Sequence, residues 1–480
     1  MLLATALSVV AIVGQDATAL RAAPRDSAPQ QAVLWQGDSL EIRGEKGDFL
    51  QVYDYRRERA GYVRASQVRT QSLKEEAAPE LLTLVRFLRD SPGSEALGIS
   101  YAATYLSVNA GAVRRGEEAG GEVLEALASM ADRLARRAAS GVSGRAGEIL
   151  AAHLEVAGAY GVAFNSYMRD GRVQLCYEGS AARQVLTLPA ATPLQKAQAA
   201  LILTRHECVA PDLSPLARFQ LDIWRAEVLD RIDLKALPEV LKNRVRMRRA
   251  GVWAGLAYQR ARRPELDTAA VGSAARRALD ELAAINKAEL MESDQPAYAD
   301  AGLRVGASRW GAEPAPGTPS SPLHIRLSPG RAGETCVQLW DTRQDNTRPQ
   351  LNRCTWGVVW AASASSHPDG SALSLAVQPL ESWRELWLFR KGSEGWQLDV
   401  LPPGLDDPQL GYLEFAGWVP NTHQFLAARE IRQEGRYQTR FELINRDSLA
   451  TDKQADRPAN LSAFYRWQSP AWKAGTVSVR

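Results

Sequence analysis

The apolar pattern of this chain changes period twice, and one layer of structure cannot satisfy both periods. Over residues 12–70 apolar and polar positions alternate, with Leu40, Ile42, Leu50 and Val52 on one face, as short strands require. From Leu81 the spacing becomes helical: Leu81, Leu82, Val85, Phe87 and Leu88, then Leu97, Ile99, Tyr101, Tyr105 and Leu106. Beyond residue 322 aromatic and β-branched residues rise and alternation returns. The 480 residues also exceed the roughly 250 to 300 at which a single core stops growing. The expected fold class is therefore multidomain with α and β parts. It comprises a leader at 1–11, a small β-barrel at 12–70, a linker at 71–80, a helical-hairpin domain at 81–305, a linker at 306–322 and an all-β domain at 323–480.

Composition sets the class but not the partner. An apolar content of 45% with a net charge of +3 is that of a folded chain without a strong global field. The sharpest charge feature is Lys242, Arg244, Arg246, Arg248 and Arg249, followed by Arg260, Arg262 and Arg263. These spread around a helix, and Glu227, Asp230, Asp233 and Glu239 lie just upstream, so local ion pairs are expected and a nucleic-acid partner is not.

Leu2 to Val13 is apolar over the length of a signal-peptide core, but far short of the ~20 residues that cross a bilayer, so no stable membrane span is expected. Val9-Val10-Ala11 offers a cleavage site; a start further upstream would account for the missing basic residues, and an apolar first strand is the other reading. Periplasmic or other export fits the four cysteines. Two intradomain disulfides, Cys176 with Cys208 and Cys336 with Cys354, are expected, against four buried thiols as the alternative.

The turns at Gly37-Asp38 and across Gly44-Glu-Lys-Gly47-Asp48 suit tight hairpins. Together with Leu34-Trp-Gln-Gly37, Phe49-Leu-Gln-Val52 and Gly61-Tyr-Val63, the segment resembles the bacterial SH3-like (SH3b) family. The resemblance implies binding of cell-wall peptidoglycan or of an envelope protein, without catalysis. The candidate ligand-binding residues are Trp35, Tyr53, Tyr55 and Arg57: the two tyrosines sit in a hairpin beside Arg56, Arg57 and Arg59, where rings can stack and guanidiniums can meet carboxylates. Tyr62 matches the closing strand of that family and is read as scaffold.

The helical middle resembles tetratricopeptide-type hairpin arrays, without a regular 34-residue period. In the last region, Trp360 to Phe389 aligns with Trp418 to Ile444, each with a proline-led turn at Pro368-Asp-Gly or Pro420-Asn-Thr. A partial copy precedes them at Cys336 to Trp340, and a terminal one carries Ser469-Pro-Ala-Trp472. The units resemble β-propeller blades of the WD40-like or TolB kind; a sandwich is the alternative.

No motif for a nucleophile elbow, zinc protease, phosphate-binding loop or calcium loop occurs, and the five histidines are scattered. His206-Glu207-Cys208 is read as structural, with Cys208 in a disulfide, and Asp406-Asp407 as a turn. No catalytic, metal-binding or cofactor-binding residue is expected. The leading expectation is a non-catalytic interaction protein of the cell envelope. The alternative is a carbohydrate-active or other hydrolase with a site where helices meet the β domain, using acids with Trp418 and Trp472.

Overall fold

The computed structural model describes residues 9–475, except 170, 264–267, 315–320, 345–346 and 405–409. It divides into two compact units, Met1–Leu213 with Ile232–Leu237, and Ser214–Arg231 with Pro238–Arg480. The helical stretch expected over 81–305 contributes to both.

The first unit opens with seven strands: β1 (Val9–Val13), β2 (Thr18–Arg21), β3 (Gln30–Leu34), β4 (Ser39–Lys46), β5 (Phe49–Asp54), β6 (Arg59–Arg64) and β7 (Val68–Ser72). They form one antiparallel sheet in the order β3-β2-β6-β5-β4-β1-β7. Alternation decides which side is buried: Leu20, Leu34, Leu40, Leu50, Val52 and Val63 meet in one cluster with Ala11 and Val13. A closed barrel is the expectation, but among the described residues no ladder joins β3 to β7, so the hydrogen-bonded path stays open. The stretch weighed as part of a leader supplies β1, with Ala11, Ile12 and Val13 fully buried and partners on both sides. Cleavage after Ala11 would remove three of its five residues.

The turn before β4 touches the helices that follow. Gly37 has φ +93°, and a Cβ there would stand 2.7 Å from the Ala96 carbonyl oxygen, so only glycine fits. The helices are α1 (Ala78–Arg89), α2 (Glu95–Val108), α3 (Ala110–Arg114), α4 (Glu118–Ala139) and α5 (Gly144–Ala159), and, after a hairpin, α6 (Ser180–Thr187) and α7 (Pro193–Leu203). The apolar stripe of α4, Val123, Leu127, Met130 and Leu134, belongs to one core with Leu81, Val85 and Ile99. A capping box starts α7: the Gln195 backbone N–H donates to Thr192 Oγ1 at 3.2 Å and the Thr192 N–H to Gln195 Oε1 at 2.8 Å.

The helical-hairpin stretch expected over 81–305 carries a β-hairpin. The helix α5 ends at Ala159, and β8 (Phe164–Arg169) pairs antiparallel with β9 (Arg172–Tyr177). Phe164, Tyr167, Val173 and Tyr177 are strand formers, and Gly171 takes φ +71° at the turn, which together outweigh the weak helical spacing.

In the second unit, α8 (Pro215–Asp230), α9 (Glu239–Ala261), α10 (Thr268–Ala283) and α11 (Gln295–Ser308) precede the strands. First comes a three-stranded meander, β10 (Leu323–Pro329), β11 (Thr335–Asp341) and β12 (Leu351–Thr355). Two four-stranded antiparallel meanders follow. One contains β13 (Val358–Ser366), β14 (Ala372–Leu380), β15 (Trp383–Gly392) and β16 (Gly395–Leu401); the other contains β17 (Leu410–Trp418), β18 (Gln424–Gln433), β19 (Arg436–Asn445) and β20 (Thr451–Ala455). They are joined by a two-pair parallel ladder, Trp383 with Gly411 and Arg384 with Tyr412.

The internal alignment of the sequence therefore matches strand to strand, with the turns at Pro368 and Pro420 in equivalent places. The expected terminal copy does not form a strand: after α12 (Ser462–Trp467), Pro470 starts α13 (Pro470–Gly475), and Trp472 packs on Phe441 and Phe464. Helices cover this sheet, as Tyr258 meets Val358, Trp360 and Ala376, and Leu303 meets Leu410 and Tyr412.

Candidate functional site

Strand period decides what the N-terminal sheet shows to solvent. Along β5, Leu50 and Val52 point inward, so Gln51 and Tyr53 point out; Tyr53 lies opposite Glu41 on β4, and Gln51 opposite Tyr62 on β6. A bulge between Ile42 and Gly44 leaves Arg43 as the extra residue of β4. Its guanidinium carbon stands 4.0 Å from the centroid of the Tyr53 ring.

Tyr55, 59% exposed, meets Tyr53 edge to face at 4.9 Å between centroids. The Tyr55 hydroxyl donates to Glu41 Oε2 at 3.0 Å, and Arg43 Nε donates to the same oxygen at 2.9 Å. Lys46 Nζ stands 5.9 Å from the Tyr62 ring centre. The result is an outward aromatic surface whose rings are held by one carboxylate and one guanidinium. Such a surface can stack on a sugar ring or a planar peptide group and offer the Gln51 amide beside it.

The other two expected residues do not join it. Arg57 Nη1 donates to Asp54 Oδ2 at 2.7 Å and Nη2 to Asp38 Oδ2 at 3.0 Å, and both carboxylates are buried. The Trp35 backbone N–H donates to that same Asp38 oxygen at 2.9 Å. Asp54 Oδ1 accepts the backbone N–H groups of Arg56 and Arg57. Burial pulls the Arg57 pKa down, but Asp54 and Asp38 more than offset it, so the guanidinium is held above its usual value. Arg57 is thus a latch tying the hairpin tip to the 35–38 turn, with its charge already spent. Glu41, Arg43 and Gln51 are surface residues that the sequence pattern does not single out, and Tyr62, expected as scaffold, lies opposite Gln51. The glycine inside β4, Gly44, is the one local sign of the bulge that brings Arg43 there.

No known protein family, curated protein or solved structure matches this chain.

Both expected disulfides are present, and no free cysteine remains. Cys176–Cys208 ties β9 to the short turn at His206–Cys208, and Cys336–Cys354 joins facing residues of β11 and β12. Cys208 is therefore no nucleophile in this state, and Glu207 Oε1 accepts from Arg205 Nε at 3.0 Å. No helix among the described residues is long and apolar enough to cross a membrane.

Where helices meet strands inside the second unit, the acids are taken up by arginines. Glu414 accepts from Arg309 through Oε1 and from Arg384 Nη2 through Oε2 at 2.8 Å, with all three residues buried. Burial works to raise the Glu414 pKa, but Arg309 and Arg384 outweigh it and hold the carboxyl at about 2. Asp222 accepts from Arg218, Arg225 and Gln259, and Glu381 from Arg218. Trp472 is buried, and Trp418 is half-buried against Phe415, Phe425 and His367. Burial leaves the Trp472 ring closed to a sugar. Of the basic run on α9, Lys242 pairs with Glu239 and Arg249 with Asp230 just upstream, whereas Arg244 pairs with Asp294 and Arg249 also with Glu281, 50 and 32 residues further along the chain. Asp406 and Asp407 lie outside the described residues.

Proposed function

We propose that this chain is an exported, non-catalytic interaction protein of the cell envelope, whose N-terminal sheet is an SH3-like binding module for peptidoglycan or an envelope protein. The observation that carries this reading is the outward group of Tyr53, Tyr55 and Tyr62 with Gln51, on a sheet whose opposite face gathers Leu20, Leu34, Leu40, Leu50, Val52 and Val63 into one apolar cluster. Two disulfides suit an oxidising compartment and so support export. The successive four-stranded meanders support a propeller-blade kinship for the C-terminal strands, which then serve as scaffold or second surface. Arginine pairing of Glu414, Asp222 and Glu381 favours this reading over hydrolysis by those acids, because a proton-transferring acid needs a raised pKa or an open partner.

Sedimentation with purified peptidoglycan tests it, comparing the full chain with Tyr53→Ala/Tyr55→Ala. Two aromatic contacts of about 0.5–1.5 kcal/mol each predict a loss of roughly 5- to 140-fold in affinity. Binding by the full chain that the double substitution leaves unchanged would refute the assignment of this face. No binding by the full chain would leave the envelope-protein branch, tested by crosslinking in intact cells with and without the substitutions.

A further inference from the structure

The turn from β10 to β11 sets a carboxylate against the second disulfide. Glu334 Oε2 accepts the Arg331 backbone N–H at 3.0 Å, and the Glu334 carbonyl accepts from the Gly330 N–H at 2.9 Å. A carboxylate oxygen of Glu334 and the sulfurs of Cys336 and Cys354 all lie within 4.8 Å of one another. No other trio of His, Cys, Asp or Glu donors converges in this way among the described residues. Gly330 keeps the space clear: a Cβ there would stand 2.7 Å from Glu334 Oε2 and 2.9 Å from Cys336 Sγ. Cys336 is buried, while Glu334 and Cys354 are half-buried, so the cluster has both a dry side and a wet one.

We propose that reduction converts this cluster into a binding site for a borderline-soft divalent cation of the zinc class, held by Cys336, Cys354 and Glu334 with water in the fourth position. A dithiol reductant gives two electrons and two protons to the S–S bond and becomes a disulfide itself, leaving two thiols on the chain. The cation then displaces both thiol protons, and binding releases them to solvent. Cys336 and Cys354 face each other in the β11–β12 register, so the parted sulfurs remain on adjacent strands. Side-chain rotation lets both reach one metal at the usual Zn–S length of about 2.3 Å. Two thiolates and one carboxylate are a mixed sulfur and oxygen set that suits zinc and leaves calcium or magnesium poorly served. Cation and disulfide become alternative cross-links of the same two strands, so their pairing is held in either redox state.

The test is anaerobic titration of the full chain with Co²⁺, read by thiolate-to-metal charge-transfer absorption, then displacement by Zn²⁺. A water-soluble phosphine is the reductant; it takes up the oxygen of one water as it becomes the phosphine oxide. In a Cys176→Ala/Cys208→Ala background, the reduced chain should bind one equivalent and the oxidised chain none. Cys354→Ser should abolish the charge-transfer band. Glu334→Gln should weaken binding at least about 10-fold, since even a supporting partner costs that much. No binding by the reduced chain, binding by the oxidised one, or an affinity that Glu334→Gln leaves unchanged would overturn the assignment. Should the background variant fail to fold, the wild-type chain carries the same test, with Cys354→Ser expected to remove one equivalent and Glu334→Gln to weaken that equivalent alone.

Discussion

Replacing Glu414 with Gln keeps the shape of the side chain and removes its charge, leaving Arg309 and Arg384 buried at 4% and 0% exposure without a counter-ion. Two routes give the size of the effect. Breaking a buried pair by removing one partner costs about 3–5 kcal/mol. Independently, a carboxyl lowered from 4.5 to about 2 on folding corresponds to about 3 kcal/mol of stability at neutral pH. Because the folded value is the lower one, this stability is fully present above pH 4.5 and is lost as the pH falls towards 2.

The assay is urea denaturation followed by tryptophan fluorescence, which reports the second unit: twelve of the thirteen tryptophans lie there and only Trp35 in the first. Glu414→Gln should lower the stability of that unit by about 3 kcal/mol at pH 7 and flatten its acid dependence between pH 4.5 and 2. Replacing the whole triad by Met, Leu and Met should cost far less, since no uncompensated charge is left. A loss below about 1 kcal/mol for Glu414→Gln, or an acid profile that still follows the wild type, would refute the view that Glu414 is the ionised centre of this junction.

Other perturbations probe the first unit. Arg57→Ala takes the guanidinium from buried Asp54 and leaves buried Asp38 to Arg56, and should destabilise that unit by about 2–4 kcal/mol, measured by chemical denaturation with circular dichroism, while Tyr55→Phe should stay within about 0.5 kcal/mol. Gly37→Ala combines a positive φ with a clash on the Ala96 carbonyl and should cost more than about 2 kcal/mol by the same measurement. Removing the Cys176–Cys208 link, whose ends have a sequence separation of 32, should lower stability by about 3–4 kcal/mol in the chain-entropy estimate, checked by denaturation of a Cys176→Ala/Cys208→Ala variant. A chain starting at Ile12 should lose the pairing of Val9, Val10 and Ala11 with β7, seen as faster amide exchange along Thr70, Gln71 and Ser72.

Local periodicity made most elements legible. The alternation of Leu50 and Val52 and the helical spacing of Val123, Leu127, Met130 and Leu134 each report the nearest neighbours along the chain, and each element formed where that spacing lies. The internal repeat carried further, because equal turns at Pro368 and Pro420 fixed equal strands on either side. What stayed hidden depends on partners distant in sequence. Arg57 looked like a ligand-binding group because nothing nearby in sequence says that Asp38, nineteen residues away, is folded beneath it. Arg43 looked unremarkable because its outward position comes from a bulge. Trp418 and Trp472 looked available for sugar stacking, since a sequence does not show that Phe425, Phe441 and Phe464 fill the space around them. The hairpin at Phe164–Tyr177 was hidden between helices on either side, because its two strands of six residues are too short and too polar to show a clear period of their own.

The division of the chain into units bears on the order in which they can be completed during synthesis. The backbone leaves the first unit after Leu213, returns for Ile232–Leu237 and leaves again, so α8 is threaded out as a loop between two stretches of the unit it does not belong to. A ribosome that has released 213 residues has not yet delivered the last piece of the first unit. By the time it delivers that piece, α8 is already outside, and its partner Glu381 is still more than a hundred residues from being made. No single peptide bond, cut by a protease or chosen by an engineer, separates one unit from the other with both intact.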